Sequence, residues 1–152
     1  MTSPAAFFTI RCRNCRHVFE VPSLGDMNYG ERYLHGDRGT IHRYVRLLDH
    51  PVLRVVEEVL RPQQSKQWDR CFRTLAALAD PVEGQRLGLT PVCPQCHSDA
   101  MSFRKSHGAP AKPRIGEVAE ATFHAFLALT PQEQRDSVAA MAGRCEAENG
   151  RK

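Results

Sequence analysis

Arg11-Cys12-Arg13-Asn14-Cys15-Arg16-His17 and Val92-Cys93-Pro94-Gln95-Cys96-His97-Ser98 are the two stretches from which the fold of this chain is read. Each separates two cysteines by two residues, a spacing that lets one tight turn present both sulfurs. Four thiolates at tetrahedral corners, about 2.3 Å from the metal, are the donor set that structural zinc prefers. The expected cofactor is therefore Zn2+, held by Cys12, Cys15, Cys93 and Cys96. Disulfides are the competing account of the pairs. The N-terminus, Met1-Thr2-Ser3-Pro4-Ala5-Ala6-Phe7-Phe8, lacks the charged leader and apolar run of an export signal. The cysteines are accordingly expected as reduced thiols in a cytoplasmic protein, with Cys71 and Cys145 outside the pairs.

Outward from the first pair, Phe7-Phe8-Thr9-Ile10-Arg11 and Val18-Phe19-Glu20-Val21-Pro22 are short, aromatic and β-branched. They predict a hairpin with Cys12 and Cys15 at its tip. Residues 23–40, with four glycines, predict a loop-rich stretch, and Gly36-Asp37-Arg38-Gly39-Thr40 is turn chemistry rather than a phosphate loop, since it lacks the Gly-Lys-Ser/Thr ending. Apolar residues at Ile41, Val45 and Leu48 and then at Val52, Val55/Val56 and Val59 have helical spacing. Helices are predicted over 40–48 and 51–60, with Asp49 or His50 as the cap between them and Pro51 in a first turn. A third helix over 64–79 carries Trp68, Cys71/Phe72, Leu75 and Leu78/Ala79 on one face and Lys66, Arg70 and Arg73 on another. Ala100–Arg104 predicts a short strand after the second pair, and 105–113 a linker. Val118/Ala119, Thr122/Phe123, Phe126 and Leu129 predict a helix over 116–129. Thr130-Pro131-Gln132-Glu133 is a capping-box pattern that starts a last helix to about Glu146.

The fold class expected is α+β: a single domain, 1–152, with zinc-binding halves at 7–22 and 90–104, a mostly helical insertion at 23–89 and a C-terminal helical hairpin at 115–147. The halves resemble a zinc ribbon, a Cys-x-x-Cys hairpin answered by a second Cys-x-x-Cys knuckle followed by a strand. The departure is the 77 residues between Cys15 and Cys93. Loop-closure entropy grows only as about (3/2)RT ln n, so metal binding tolerates the insertion.

The chain of 152 residues has a net charge of +4, and the positive excess sits around the cysteines. Residues 1–24 hold three basic and one acidic side chain and 91–115 hold four and one, whereas 116–152 are net acidic. Arg11, Arg13, Arg16, Arg104 and Lys105 are thus candidate contacts for a nucleic acid or another partner, with Lys112 and Arg114 near them. Few aromatic residues are interleaved with these charges, which disfavours single-strand stacking. No apolar run approaches the ~18 residues of a membrane helix, so no membrane partner is expected.

Several other motifs carry weaker chemistry. Cys93-Pro94-Gln95-Cys96-His97 has the form of a c-type haem attachment, which requires export and leaves the first pair unexplained. Asp49-His50-Pro51 between the Cys pairs, with Cys96-His97 after them, resembles HNH-type nucleases with a four-cysteine clamp. That resemblance implies His50 as general base and Asp49 as metal ligand or base-orienting group, but the asparagine it requires is absent. His35 and His42 with Asp37 offer a second metal site or, more simply, surface or hydrogen-bonded histidines. His17 and His97 follow the knuckles as surface or supporting groups, and Cys71 on an apolar helix face reads as an inert buried thiol. The function expected is a non-enzymatic zinc protein acting as a protein-interaction adaptor or regulatory subunit, with nucleic-acid binding and a divergent nuclease as the alternatives.

Overall fold

The computed structural model describes residues 1–23, 30–102 and 113–151. Among these residues the elements follow one another as β1 (Thr2–Cys12), β2 (Val18–Ser23), β3 (Glu31–Gly36), β4 (His42–Arg46), α1 (Pro51–Leu60), α2 (Ser65–Leu78), β5 (Leu87–Gly88), β6 (Met101–Ser102), β7 (Arg114–Glu120), α3 (His124–Leu127) and α4 (Pro131–Asn149). The class is α+β. The strands form one sheet in the order β2-β1-β7-β4-β3-β5, and β6 pairs with β1 beyond the end of β7. Neighbours run antiparallel except β4 and β7, which are parallel.

β1 is the long spine of this sheet. Its Thr2–Phe7 half pairs with β7, its Ala6–Arg11 half pairs with β2, and Arg11 and Cys12 pair with Ser102 and Met101 of β6. The predicted hairpin is therefore present, with the first Cys pair at its tip. Side chains alternate between the two faces of a strand, and here both faces are used. Leu34 and Val45 join α1, α2 and the Ala121–Phe126 segment in the main core, while Tyr33 and Tyr44 pack with Ala5 and Val118 on the opposite face. A third, smaller core of Ile10, Val21 and Met101 surrounds Cys12 and Cys93.

Three predicted elements are corrected. The helix over 40–48 is strand β4: Tyr44 and Val45 are both buried, on opposite faces, whereas Leu48 is 77% exposed and belongs to no apolar stripe. A strand covered on both faces loses its alternation, and the spacing of Ile41, Val45 and Leu48 matches a helix by coincidence. The loop-rich 23–40 stretch contains β3, so 23–89 is not mostly helical: it supplies β3 and β4 to the middle of the sheet. The helix over 116–129 is strand β7 followed by the short α3, and no C-terminal helical hairpin forms. Gly116 within β7 faces the Phe7 ring, where a Cβ would come within 2.9 Å. Asp80 holds the start of α3, its carboxylate accepting hydrogen bonds from the Thr122 hydroxyl and the His124 and Ala125 amides.

The helices over 51–60 and 64–79 correspond to α1 and α2. His50 occupies the position before α1, but its side chain makes no capping bond. The capping box is formed as the sequence indicates: Thr130 Oγ1 accepts from the Glu133 amide at 3.3 Å and Glu133 Oε2 accepts from the Thr130 amide at 2.8 Å. α4 then packs against α1 and α2. Among the described residues no helix is long and apolar enough to cross a membrane. The 105–113 linker falls almost wholly outside the described residues.

Candidate metal centre

The two Cys-x-x-Cys turns are built alike although they stand on different supports. In the first, the Cys12 amide donates to the His17 carbonyl at 2.9 Å and the Arg16 amide to the Cys12 carbonyl at 3.0 Å. In the second, the Cys93 amide donates to the Ser98 carbonyl at 2.8 Å and the His97 amide to the Cys93 carbonyl at 2.9 Å. The residue after each pair is left-handed, with φ of 63° at Arg16 and 60° at His97. The first turn joins β1 to β2. Among the described residues the second has no hairpin of its own and leads to β6, whose two residues pair with β1. The Arg13 amide donates to the Ala100 carbonyl at 2.8 Å and ties the turns together.

This arrangement brings four residues from distant parts of the sequence into one cluster. The ligand atoms of Cys12, Cys15, Cys93 and Cys96 lie within 4.8 Å of one another, and Cys12–Cys96 and Cys15–Cys93 are each 3.5 Å apart at sulfur. Disulfide sulfurs would lie at ~2.0 Å, so these are separate thiols. Four sulfurs about 2.3 Å from one ion stand ~3.8 Å from each other by tetrahedral geometry, close to what is seen. The donor set and spacing fit zinc. Asn14 Nδ2 donates to Cys96 Sγ at 3.4 Å. That bond, with the backbone at Ser98, holds the Cys96 thiol down to about 6. At Cys15 a backbone hydrogen bond at His17 favours the thiolate, but burial and the three other sulfurs outweigh it and push the thiol up to about 12. A divalent cation removes that conflict, because it stabilises all four thiolates at once.

The second turn is seated on the β3–β4 connection, Gly36–Thr40. Gly39 has φ of 79°, and a Cβ there would overlap the Val92 carbonyl oxygen and lie 2.8 Å from the Pro94 nitrogen. Gln85, 3% exposed, braces the connection from below: Nε2 donates to Thr40 Oγ1 at 2.6 Å and Oε1 accepts from the Arg38 amide at 3.2 Å. Gly36 gives Gln85 its space. Asn14, Gly39 and Gln85 are supporting residues absent from the sequence-based expectations for the site. Asn14 carries a signal, as the only side-chain amide inside the first turn; Gln85 carries none.

The remaining candidates fall elsewhere. Arg11, Arg13 and Arg16 are exposed on the first turn, while Arg104, Lys105 and Lys112 lie outside the described residues. Arg114 is engaged within the sheet, 2.9 Å from Glu20 and 4.3 Å over the Phe7 ring. Arg70 of α2 pairs with Glu146 of α4 at 2.9 Å. Cys71 is fully buried, and burial raises its thiol. His35 and His42 meet across β3 and β4 with their Nδ1 atoms 2.9 Å apart, and burial lowers them to about 3 and about 4. Asp37 joins no metal-ligand group with them; among the described residues the four cysteines are the one such cluster. Asp49 pairs with Arg54 at 2.8 Å, and the His50 ring packs edge-on to Phe123 at 4.9 Å. Both therefore serve the start of α1.

No protein-family model, curated protein or solved structure matches the chain.

Proposed function

We propose that this chain is a non-enzymatic, structural-zinc protein whose two knuckles, a zinc-ribbon-like module, present a docking surface to a protein partner in the manner of an adaptor or regulatory subunit. The observation that carries this reading is the donor set: four sulfurs within 4.8 Å. A site of four cysteines leaves zinc no open position for water or substrate, which is the mark of structural rather than catalytic sites. The reduced thiols it needs suit the cytoplasm. Further along β1 and β7 from the knuckles the sheet exposes Phe8 and Ile115, at 41% and 69%, and the hairpin tip exposes Arg11, Arg13 and Arg16. Aromatic residues and arginines are the side chains enriched in protein interfaces.

Metal content is the first test. Protein purified without added metal should carry about one zinc per chain, and Cys→Ser at any of the four positions should lower it sharply. Iron in place of zinc, or unchanged stoichiometry, overturns the site. The partner class is tested by replacing Arg11, Arg13 and Arg16 together with Glu. A protein photo-crosslinked from a probe at exposed Val18, and lost in that variant, is the expected result; an unchanged crosslink overturns the role of the three arginines.

Nucleic-acid binding is a second reading, favoured by those three arginines on one hairpin tip. It requires an affinity for DNA or RNA that falls steeply with salt and disappears in the triple variant. No affinity at low salt excludes it.

A further inference from the structure

The four cysteines of the metal centre differ in access. Cys12 and Cys93, which open the two turns, are fully buried, while Cys15 and Cys96, which close them, are half-buried. Each half-buried cysteine meets the buried cysteine of the other turn. Cys96 Sγ is 3.5 Å from Cys12 Sγ, and Cys15 Sγ is 3.5 Å from Cys93 Sγ. These two contacts use all four sulfurs without overlap, and closing either to a disulfide of ~2.0 Å needs about 1.5 Å of approach. Backbone bonds hold the buried partners: Cys12 pairs with Met101 of β6, and the Cys93 amide donates to the Ser98 carbonyl at 2.8 Å. The other thiols stand apart. Cys71 is enclosed in the main core, and Cys145 lies 3.8 Å from the Arg73 carbonyl oxygen.

We propose that this cluster is a peroxide-reactive site, oxidised across the turns to the disulfides Cys12–Cys96 and Cys15–Cys93 with release of its zinc. It rests on the metal-site reading above and not on the docking surface. The accessible thiolate of Cys96 or Cys15 attacks one oxygen of hydrogen peroxide. An S–O bond forms, the O–O bond breaks, and the cysteine becomes a sulfenic acid. The buried thiolate 3.5 Å away then attacks that sulfur, so that the S–S bond forms and hydroxide leaves. Each disulfide consumes one peroxide and two protons, takes two electrons from two thiolates and yields two waters. With the thiolates gone the ion has no donors and departs. A dithiol returns the electrons and restores the site.

The cross-turn linkages join residues 84 and 78 apart. A long closed loop removes more entropy from the unfolded chain than a closed turn does. The oxidised chain therefore keeps the first hairpin and the second knuckle joined without metal, which disulfides inside each turn would not do.

Treating the zinc-loaded full chain with hydrogen peroxide tests the proposal, with zinc release followed by a chromogenic chelator and disulfides mapped without reduction. Trypsin separates Cys12 from Cys15 at Arg13 but leaves Cys93 and Cys96 together in 87–104. The expected product joins three peptides, 12–13, 14–16 and 87–104, and fragmentation between Cys93 and Cys96 assigns the two pairs. Zinc leaves in step with the disulfides, and a dithiol with added zinc reverses both. Cys145→Ser should release zinc at the same rate. Disulfides inside the turns, irreversible sulfonic acids, release that requires Cys145, or zinc retained while free cysteine is oxidised overturns the proposal. A preparation that holds no zinc overturns the metal site instead, and the same map on the reduced chain then decides the pairing.

Discussion

Gly39 sits where the β3–β4 connection touches the backbone of the second knuckle, and both its positive φ and the missing Cβ are needed there. A left-handed non-glycine residue costs about 1–3 kcal/mol, and the overlap with Val92 adds to it. Gly39→Ala should lower both the melting midpoint and the zinc affinity, because the displaced backbone carries Cys93. Gly88→Ala is the control: a Cβ there would have nothing within 4 Å, so its zinc affinity should match that of the unmodified chain. Equal behaviour of the two variants would show that the knuckle does not rest on this connection. The His35–His42 contact gives a second prediction at this scale. Burial lowers both groups, to about 3 and about 4, against an unfolded value of ~6.5. The unfolded chain thus binds more protons in between, so stability is fully present above about pH 6.5 and is lost as pH falls toward 3. Chemical denaturation at a series of pH values should show a slope shallower in His42→Asn by up to about 1.4 kcal/mol per pH unit. An unchanged slope would mean that His42 takes up no proton on unfolding.

Among the elements, α4 shows what local chemistry decides. Thr130, Pro131 and Glu133 satisfy the first amides of the helix by themselves, and the start of α4 is legible in four letters. Thr130→Ala should cost about 0.5–2 kcal/mol, read as a lowered melting midpoint; an unchanged midpoint would deny Thr130 that role. β4 and β7 show the opposite case. Val45 and Val118 find their partners on β3, β1 and the helices, and the apolar spacing around Val45 mimics a helix because Tyr44 and Val45 are buried on opposite faces. Periodicity reports a helix or a strand only when one face is wet.

For the molecule as a whole, the metal cluster and the main core are distinct bodies of packing. The core of Leu34, Val52, Val56 and Leu75 contains no cysteine of the cluster, whereas Ile10, Val21 and Met101 pack directly on Cys12 and Cys93. A structural zinc site contributes an apparent ~10–16 kcal/mol, and in a zinc-loaded chain that energy would act where β1, β2, β6 and the second knuckle meet. Removing zinc with a chelator should therefore speed amide hydrogen exchange at Cys12, Arg13 and Cys93 while α1 and α2 stay protected. Loss of protection throughout in one step would show that the metal holds the whole sheet together.

Each Cys-x-x-Cys turn, the hairpin beneath the first pair, α1, α2 and the cap of α4 are determined by the sequence itself, because each depends on residues near one another in the chain: two cysteines in one turn, a helical stripe, a threonine three residues before a glutamate. That the two turns meet, with separations of 84 and 78 residues between the facing sulfurs, is a matter of tertiary structure. Which strands stand side by side, that β7 lies between β1 and β4, and that Gly39 and Gln85 seat the second knuckle were decided only by tertiary structure. Those features depend on partners far along the chain, such as Gln85 and Thr40 with a separation of 45, and short-range spacing carries no record of who those partners are.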